Sequence, residues 1–331
     1  MIGERSDKFY SLYERERIKV EKRLVNSLRD RKPGSLYDPG LYIIDGGGKR
    51  LRPLLVLLSS KAAGGKFSDA YNASVAVELL HNFTLVHDDI MDNADKRRGR
   101  LTLHVKNNLS TAILVGDSLL SIAYEYLLKD CNGETKQIMS SFTKSLIDVC
   151  EGQSLDKDFE SRKSVKIEEY IEMIEKKTAA LLEMCCKVGG ILGGGSKKEI
   201  NALANFGKNI GIAFQIQDDL LDITGEEIEL GKFVGGDLVE GKKTFLFIKA
   251  LEKAGGNDLK SLQKIISNSG IKTDQINFYK HIYLKLNVLE DARSAIKYYS
   301  GKALSSLKSL NKEEDREIFT WLANSLIKRN K

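Results

Sequence analysis

The chain has 331 residues, 42% of them hydrophobic and 30% charged, with a formal net charge of +6. This leaves room for a substantial core, and no run approaches the roughly 18–20 uninterrupted apolar residues that span a bilayer. The basic residues are spread along the chain and alternate with acids, as in YERERIKVEKR, which is the pattern of a solvated helix face. A basic chain also suits an anionic small substrate such as a phosphate ester, and charge alone does not choose between that and nucleic acid.

The N-terminal stretch MIGERSDKFYSLYERER is charged and lacks the apolar core of a signal peptide. Cys131, Cys150, Cys185 and Cys186 fit no zinc spacing and no disulfide framework, and the adjacent pair in ALLEMCCKVGG reads as buried packing. The expected location is cytoplasmic. Prolines stand at 33, 39 and 53 and nowhere later, and apolar residues recur with helical period, as in IEEYIEMIEKKTAALLEMCCKVGGIL. The fold class is therefore all-α. Helices are predicted over residues 6–30, 49–63, 68–93, 108–129, 133–155, 167–193, 196–222, 242–253, 256–269, 273–299 and 311–329. Gly64-Gly65 reads as a helix stop and Ser68 as the next N-cap. The glycine-rich, polar segment 223–241 is expected to be a loop over one end of the bundle. No linker divides the chain, so a single domain is expected over 1–331.

Chemistry concentrates in LVHDDIMDNADKRRG, residues 85–99. On a helix, Asp88 and Asp92 share a face one turn apart, flanked by Asp89. Two carboxylates about 5 Å apart repel by roughly 3 kcal/mol at an effective dielectric near 20, so stability does not explain them. A divalent cation does, and carboxylate oxygens with a diphosphate are what Mg²⁺ prefers. The spacing returns at Asp218, Asp219 and Asp222 in FQIQDDLLD, again after an apolar helix. Two acidic clusters on two helices of a bundle suggest a multi-metal site. Cations accompany them. Arg97 and Arg98 follow the first cluster. Lys49 and Arg52 follow a glycine turn at a helix start, where phosphate binds readily. Lys177-Thr178 interrupts an apolar helix face, and Lys232 and Lys242 follow the second cluster. This inventory suits two diphosphates, one held through metal and one directly by Arg and Lys.

Two alternatives are set aside. Gly236 to Lys242 fits Gly-x4-Gly-Lys, but Lys243 stands where a phosphate-binding loop needs Ser or Thr. His81, His87 and His104 lie near the first cluster without a zinc spacing.

Taken in order, GGKRLRP, ELLHNFTLVHDDIMDNADKRRG, GDSLLSIAYEYL, EGQSLD, KKTAALLE, FQIQDDLLDITG and LGKFVGGDLVEGKKT resemble the trans-isoprenyl diphosphate synthases, the farnesyl and geranylgeranyl diphosphate synthase family. The resemblance implies a large helical bundle around a deep central cavity, working as a homodimer without nucleic acid or a transmembrane segment. It implies that Asp88, Asp92 and Asp218 hold Mg²⁺, three ions per site, bridging to an allylic diphosphate, with Asp89, Asp219 and Asp222 in support. Arg97, Lys177, Thr178, Gln215, Lys232 and Lys242 would grip that diphosphate, and Lys49, Arg52, His81 and Arg98 would hold isopentenyl diphosphate.

The family places the chain-length stop at the fourth or fifth residue before the first aspartate, here Thr84 and Phe83. The helical wheel sets Thr84 more directly beneath Asp88, and the preference for Phe83 rests on the resemblance. One aromatic there, with no insertion inside Asp-Asp-x-x-Asp, resembles archaeal-type synthases of the C20 product. A C15 or a longer product, or a non-catalytic subunit of a heteromeric synthase, are the alternatives.

Overall fold

The computed structural model describes residues 2–131, 133–225 and 234–327. In chain order these form α1 (Ile2–Asn26), α2 (Gly34–Ile44), α3 (Leu51–Ala62), α4 (Tyr71–Met91), a hairpin of β1 (Lys96–Arg97) and β2 (Arg100–Leu101), α5 (Leu103–Lys106) and α6 (Leu109–Lys129). They continue with α7 (Thr135–Ser161), α8 (Ile167–Ile174), a π-helical turn (Glu175–Ala179), α9 (Ala180–Leu192), α10 (Lys197–Thr224) and α11 (Gly236–Val239). Last come α12 (Phe245–Lys253), α13 (Gly256–Ser267), α14 (Ile276–Lys285), α15 (Val288–Ser306) and α16 (Glu313–Ile327). The all-α expectation holds, since the two-residue strands of the hairpin are the one sheet among the described residues.

Departures from the predicted elements have local causes. The helix α2 forms despite Pro39 in its interior, because Gly40 and Ile44 bury against the core, and that packing outweighs the lost backbone bond. The predicted helix 273–299 is broken at Asn287, whose φ of 57° is left-handed; asparagine tolerates this better than most residues and gives no glycine or proline signal. Ser68 is not the predicted cap. The backbone N–H of Lys66 donates to Asp69 Oδ2 at 2.8 Å, and Ser68 donates to the same carboxylate. Within the predicted loop 223–241, Gly236–Val239 is a short helix, and residues 226–233 lie outside those described.

The chain divides into two compact units. The first holds Met1–Phe142, Met184–Ala204 and Ser309–Trp321. Its center is α4, buried at Val75, Ala76, Val77, Leu79 and Leu80 and packed along α6. A side chain at Gly116 of α6 would put its Cβ 2.2 Å from His87 Nε2, so this glycine lets the two helices close. Nothing local caps the start of α4; Asp130, just past α6, accepts from Asn72 Nδ2 at 2.7 Å and from the Ala73 N–H at 2.8 Å. By length and composition α6 could cross a membrane, but Asp117 and Glu125 lie on its outer side and its inner side is packed on α4. Leu109, Ile113 and Leu114 stay exposed on it. Cys185 and Cys186 are buried, as expected from their apolar run.

The second unit holds Thr143–Glu183, Asn205–Lys308 and Leu322–Lys331. Its core gathers Tyr170, Ile216, Leu220, Phe245, Phe247, Tyr283, Val288 and Ile296. Tyr170 meets Phe245 edge to face, with ring centers 6.1 Å apart.

Candidate active site

In the first unit the apolar α4 ends at the first acidic cluster. The N–H of Asp92 donates to the carbonyl of Asp88 at 2.9 Å, so these residues stand one helical turn apart. Asp92 is exposed and Asp88 half-buried. Asp89 turns inward, 3% exposed, and accepts from Arg97 Nε at 2.7 Å. Burial pushes its carboxyl above the usual range, and the Arg97 charge opposes that rise. The hairpin presents Arg97 on β1, paired across from Arg100. Arg98 and Gly99 form its turn with φ of 52° and 73°, the signs of a two-residue type I′ connection.

The predicted isopentenyl residues gather in the same unit. The glycine turn ends at Arg50, left-handed at φ 48° and capping α3. The buried Arg50 donates to Glu78 Oε1 at 2.8 Å and to the Ile44 carbonyl at 2.6 Å. Arg98 donates to the Gly47 carbonyl, and Tyr13 to that of Lys49. Arg52 Nη1 lies 3.1 Å from His81 Nε2. Burial, then the charges of Arg52 and Arg98, hold His81 well below its ordinary value, so its ring is neutral and Nε2 accepts from Arg52. One turn before the acidic cluster, Phe83 rests against His87 with ring centers 4.6 Å apart. The hydroxyl of Thr84 is spent on its own helix, donating to the His81 carbonyl at 2.8 Å.

In the second unit the acidic cluster is held differently. Asp219 is buried and accepts from Tyr170 Oη at 2.6 Å, from the Phe245 N–H at 3.0 Å and from Gln215 Nε2 at 3.3 Å. Burial first, and then the Asp237 carboxylate, push its carboxyl up to about 7. Asp218 and Asp222 are half-buried. Asp222 accepts from the Asp237 N–H at 3.2 Å. Lys177 and Thr178 sit in the π-helical turn, a feature frequent at functional sites. Thr178 donates to Gln215 Oε1 at 2.9 Å, which joins Thr178, Gln215 and Asp219 in one network. Lys177 donates to Asp156. A Cβ on Gly152 would lie 2.3 Å from the Lys177 nitrogen, so that glycine lets α7 reach the turn. Lys242 pairs with Glu240 at 2.6 Å. The buried Lys243 donates to the carbonyls of Glu160 and Gly241, a structural use that fits its failure to match a phosphate-binding loop. Lys232 lies outside the described residues.

Five residues of these networks went unassigned in the sequence: Tyr13, Arg50, Glu78, Tyr170 and Asp237. Asp156 stood within EGQSLD without a role. Arg50 was signalled by its place between Lys49 and Arg52. Tyr170 was one aromatic among many on an amphipathic helix, and nothing local marks it.

The polyprenyl synthetase family matches residues 33–283. The short chain isoprenyl diphosphate synthase of Methanothermobacter thermautotrophicus is 40% identical over 94% of this chain and 95% of its own. The geranylgeranyl diphosphate synthase of Saccharolobus solfataricus is 41% identical over 90% and 91%. The crystal structure of geranylgeranyl pyrophosphate synthetase from Pyrococcus horikoshii superposes with a TM-score of 0.90 at 35% identity, covering 97% of this chain and 98% of that one. Fold and likeness together define an all-α transferase of isoprenoid synthesis. Within that class the chain belongs to the polyprenyl synthetase family and is a trans-prenyltransferase.

Proposed function

We propose that the chain acts as one domain that condenses isopentenyl diphosphate with allylic diphosphates and releases geranylgeranyl diphosphate. The observation that carries the product length is Phe83, a single aromatic five residues before Asp88, its ring braced by His87. The similarity to geranylgeranyl diphosphate synthases supports the same reading.

The metal proposed is Mg²⁺, three ions per active site. The donor chemistry fits it. Asp89 and Asp219 are buried and held by protein donors, and the more exposed Asp88 with Asp92, and Asp218 with Asp222, present hard carboxylate oxygens on one helix face, a turn apart. Among the described residues no three His, Cys, Asp or Glu side chains form a ready-made cage, and Mg²⁺ is commonly bound by one or two carboxylates completed by phosphate oxygens and water. Bound there, Mg²⁺ would neutralise charge on the departing diphosphate.

The protein's own residues do the rest. Arg97, Lys177, Thr178, Gln215, Lys232 and Lys242 bind and orient the allylic diphosphate as its C–O bond breaks. Lys49, Arg52, His81 and Arg98 hold isopentenyl diphosphate so that its double bond forms the new C–C bond to the allylic carbon. The proton then lost goes to the released diphosphate. Neutral His81 adds a ring that Arg52 can lean on without charge repulsion. Apolar side chains beside the aspartates keep water from the cation.

We propose a homodimer, supported by the exposed Leu109, Ile113 and Leu114 of α6 beside Leu101 and Val105. We also propose a cytoplasmic location, in keeping with four cysteines that form no disulfide with one another.

The test is product analysis of the purified full chain with Mg²⁺, isopentenyl diphosphate and primers from C5 to C15. A C20 product is expected, and Phe83→Ala lengthens it. A C15 or longer product from the unaltered chain overturns the length reading alone. No elongation with any primer overturns catalysis and leaves the non-catalytic subunit.

A further inference from the structure

The turn that carries Lys49 combines two permissive glycines with an arginine held in a conformation that its own backbone preference opposes. Gly47 and Gly48 have φ of 72° and 144°, and Arg50 is left-handed at 48°. Such a segment loses roughly 1–2 kcal/mol of chain entropy per residue on being fixed. If it is fixed before ligand arrives, the ligand does not bear that cost.

Three contacts fix it. Arg50 is tied to Glu78 and the Ile44 carbonyl. Arg98, from the hairpin, holds the Gly47 carbonyl. The third comes from α1, where the Tyr13 hydroxyl donates to the carbonyl of Lys49 itself. That carbonyl belongs to the peptide leading into Arg50 and α3, so its direction sets how Lys49 and Arg52 are presented. The Tyr13 ring in turn stands edge-on to Trp321 of α16, ring centers 6.0 Å apart, and Phe9 packs on the same indole at 6.3 Å. Trp321 is the chain's one tryptophan. Burial, and next the Glu14 carboxylate, push the Tyr13 phenol up to about 12, so it remains a donor throughout the working pH range.

We propose that Tyr13 is a positioning residue for the isopentenyl diphosphate subsite, and that Trp321 seats Tyr13 and so reports on that subsite from the last helix. This rests on the reading that Lys49 and Arg52 bind isopentenyl diphosphate. Tyr13 touches the backbone of the turn and acts through Lys49. The relay joins Tyr13 of the first helix, Lys49 of the glycine turn and Trp321 of the last helix, three residues that all lie in the first unit.

The experiment uses the full chain. Tyr13→Phe keeps the ring and removes the hydroxyl. It raises KM for isopentenyl diphosphate by roughly five- to tenfold, the scale of one hydrogen bond, while kcat and KM for the allylic primer stay within about twofold. In the unaltered chain, titration with isopentenyl diphosphate alone shifts the emission of Trp321, and Tyr13→Phe abolishes the shift. Trp321→Phe, which keeps an aromatic seat, raises the same KM by a smaller factor. An unchanged KM for isopentenyl diphosphate in Tyr13→Phe overturns the proposal, as does an equal rise for both substrates, which marks general loosening. A Trp321 emission that ignores the ligand in the unaltered chain overturns the link to the last helix. Lys49→Ala and Arg52→Ala separate the two layers. If they leave that KM unchanged, the subsite reading fails. If they raise it and Tyr13→Phe does not, only the positioning role fails.

Discussion

The two acidic clusters share a spacing and differ in how the protein holds them. At 88–92 the cluster ends a helix, and its inner aspartate is answered by a cation, Arg97 on Asp89 at 2.7 Å. At 218–222 it lies inside α10, and its inner aspartate is answered by neutral donors: a phenol, a backbone N–H and an amide. In both, the second aspartate of the motif is buried and held by protein donors, and the first and last are more exposed. A charged partner at the helix end favors an ionised Asp89. At Asp219 burial, and next the Asp237 carboxylate, push the carboxyl up to about 7, against neutral donors that each favor the ionised form. One spacing therefore serves two electrostatic designs.

The largest effect expected from this comparison is on turnover. Asp88→Ala and Asp218→Ala should each lower kcat by roughly a thousandfold or more, the scale of losing transition-state charge stabilisation, with unchanged far-UV circular dichroism. Wild-type rates in either variant would remove that cluster from the metal reading. Next in size is stability. Asp89→Asn takes the charge from a half-exposed Arg97 and should cost about 1 kcal/mol once solvent screening is allowed for. Asp219→Asn keeps an acceptor for Tyr170 and should cost less at pH 7; urea unfolding of the pair measures the difference, and equal costs would erase the distinction.

The smallest effect is the pH dependence. A carboxyl whose folded pKa is raised stabilises fully below its unfolded pKa near 3.8, and that contribution is lost as pH rises through about 7. The melting temperature of Asp219→Asn relative to the parent, both with chelator, should therefore climb between about pH 4 and pH 7. A flat difference over that window would mean Asp219 is ionised throughout.

Much of this was legible in the sequence because it is local. Helical period gave the elements, and Asp-Asp-x-x-Asp twice over gave the clusters. Even the interruption at Lys177-Thr178 appeared as a break in an apolar face, where the structure has a π-helical turn. What was hidden depends on partners distant in the chain. Tyr170 reaches Asp219 across 49 positions and Tyr13 reaches Lys49 across 36; neither leaves a mark in its own neighborhood. The helix containing Pro39 was hidden for the opposite reason, since its local signal pointed away from helix and packing prevailed.

The remote cap on α4 has a consequence for how product size can change. Asp130 pins the start of that helix, and Asp89 with Arg97 pins its end. A rod fastened at both ends cannot slide to accommodate a longer or shorter tail. On the proposed reading of Phe83, its graduations can still be redrawn one side chain at a time while the zero mark at the aspartates stays where it is. Descendants of such a chain could diversify their products without recalibrating their chemistry.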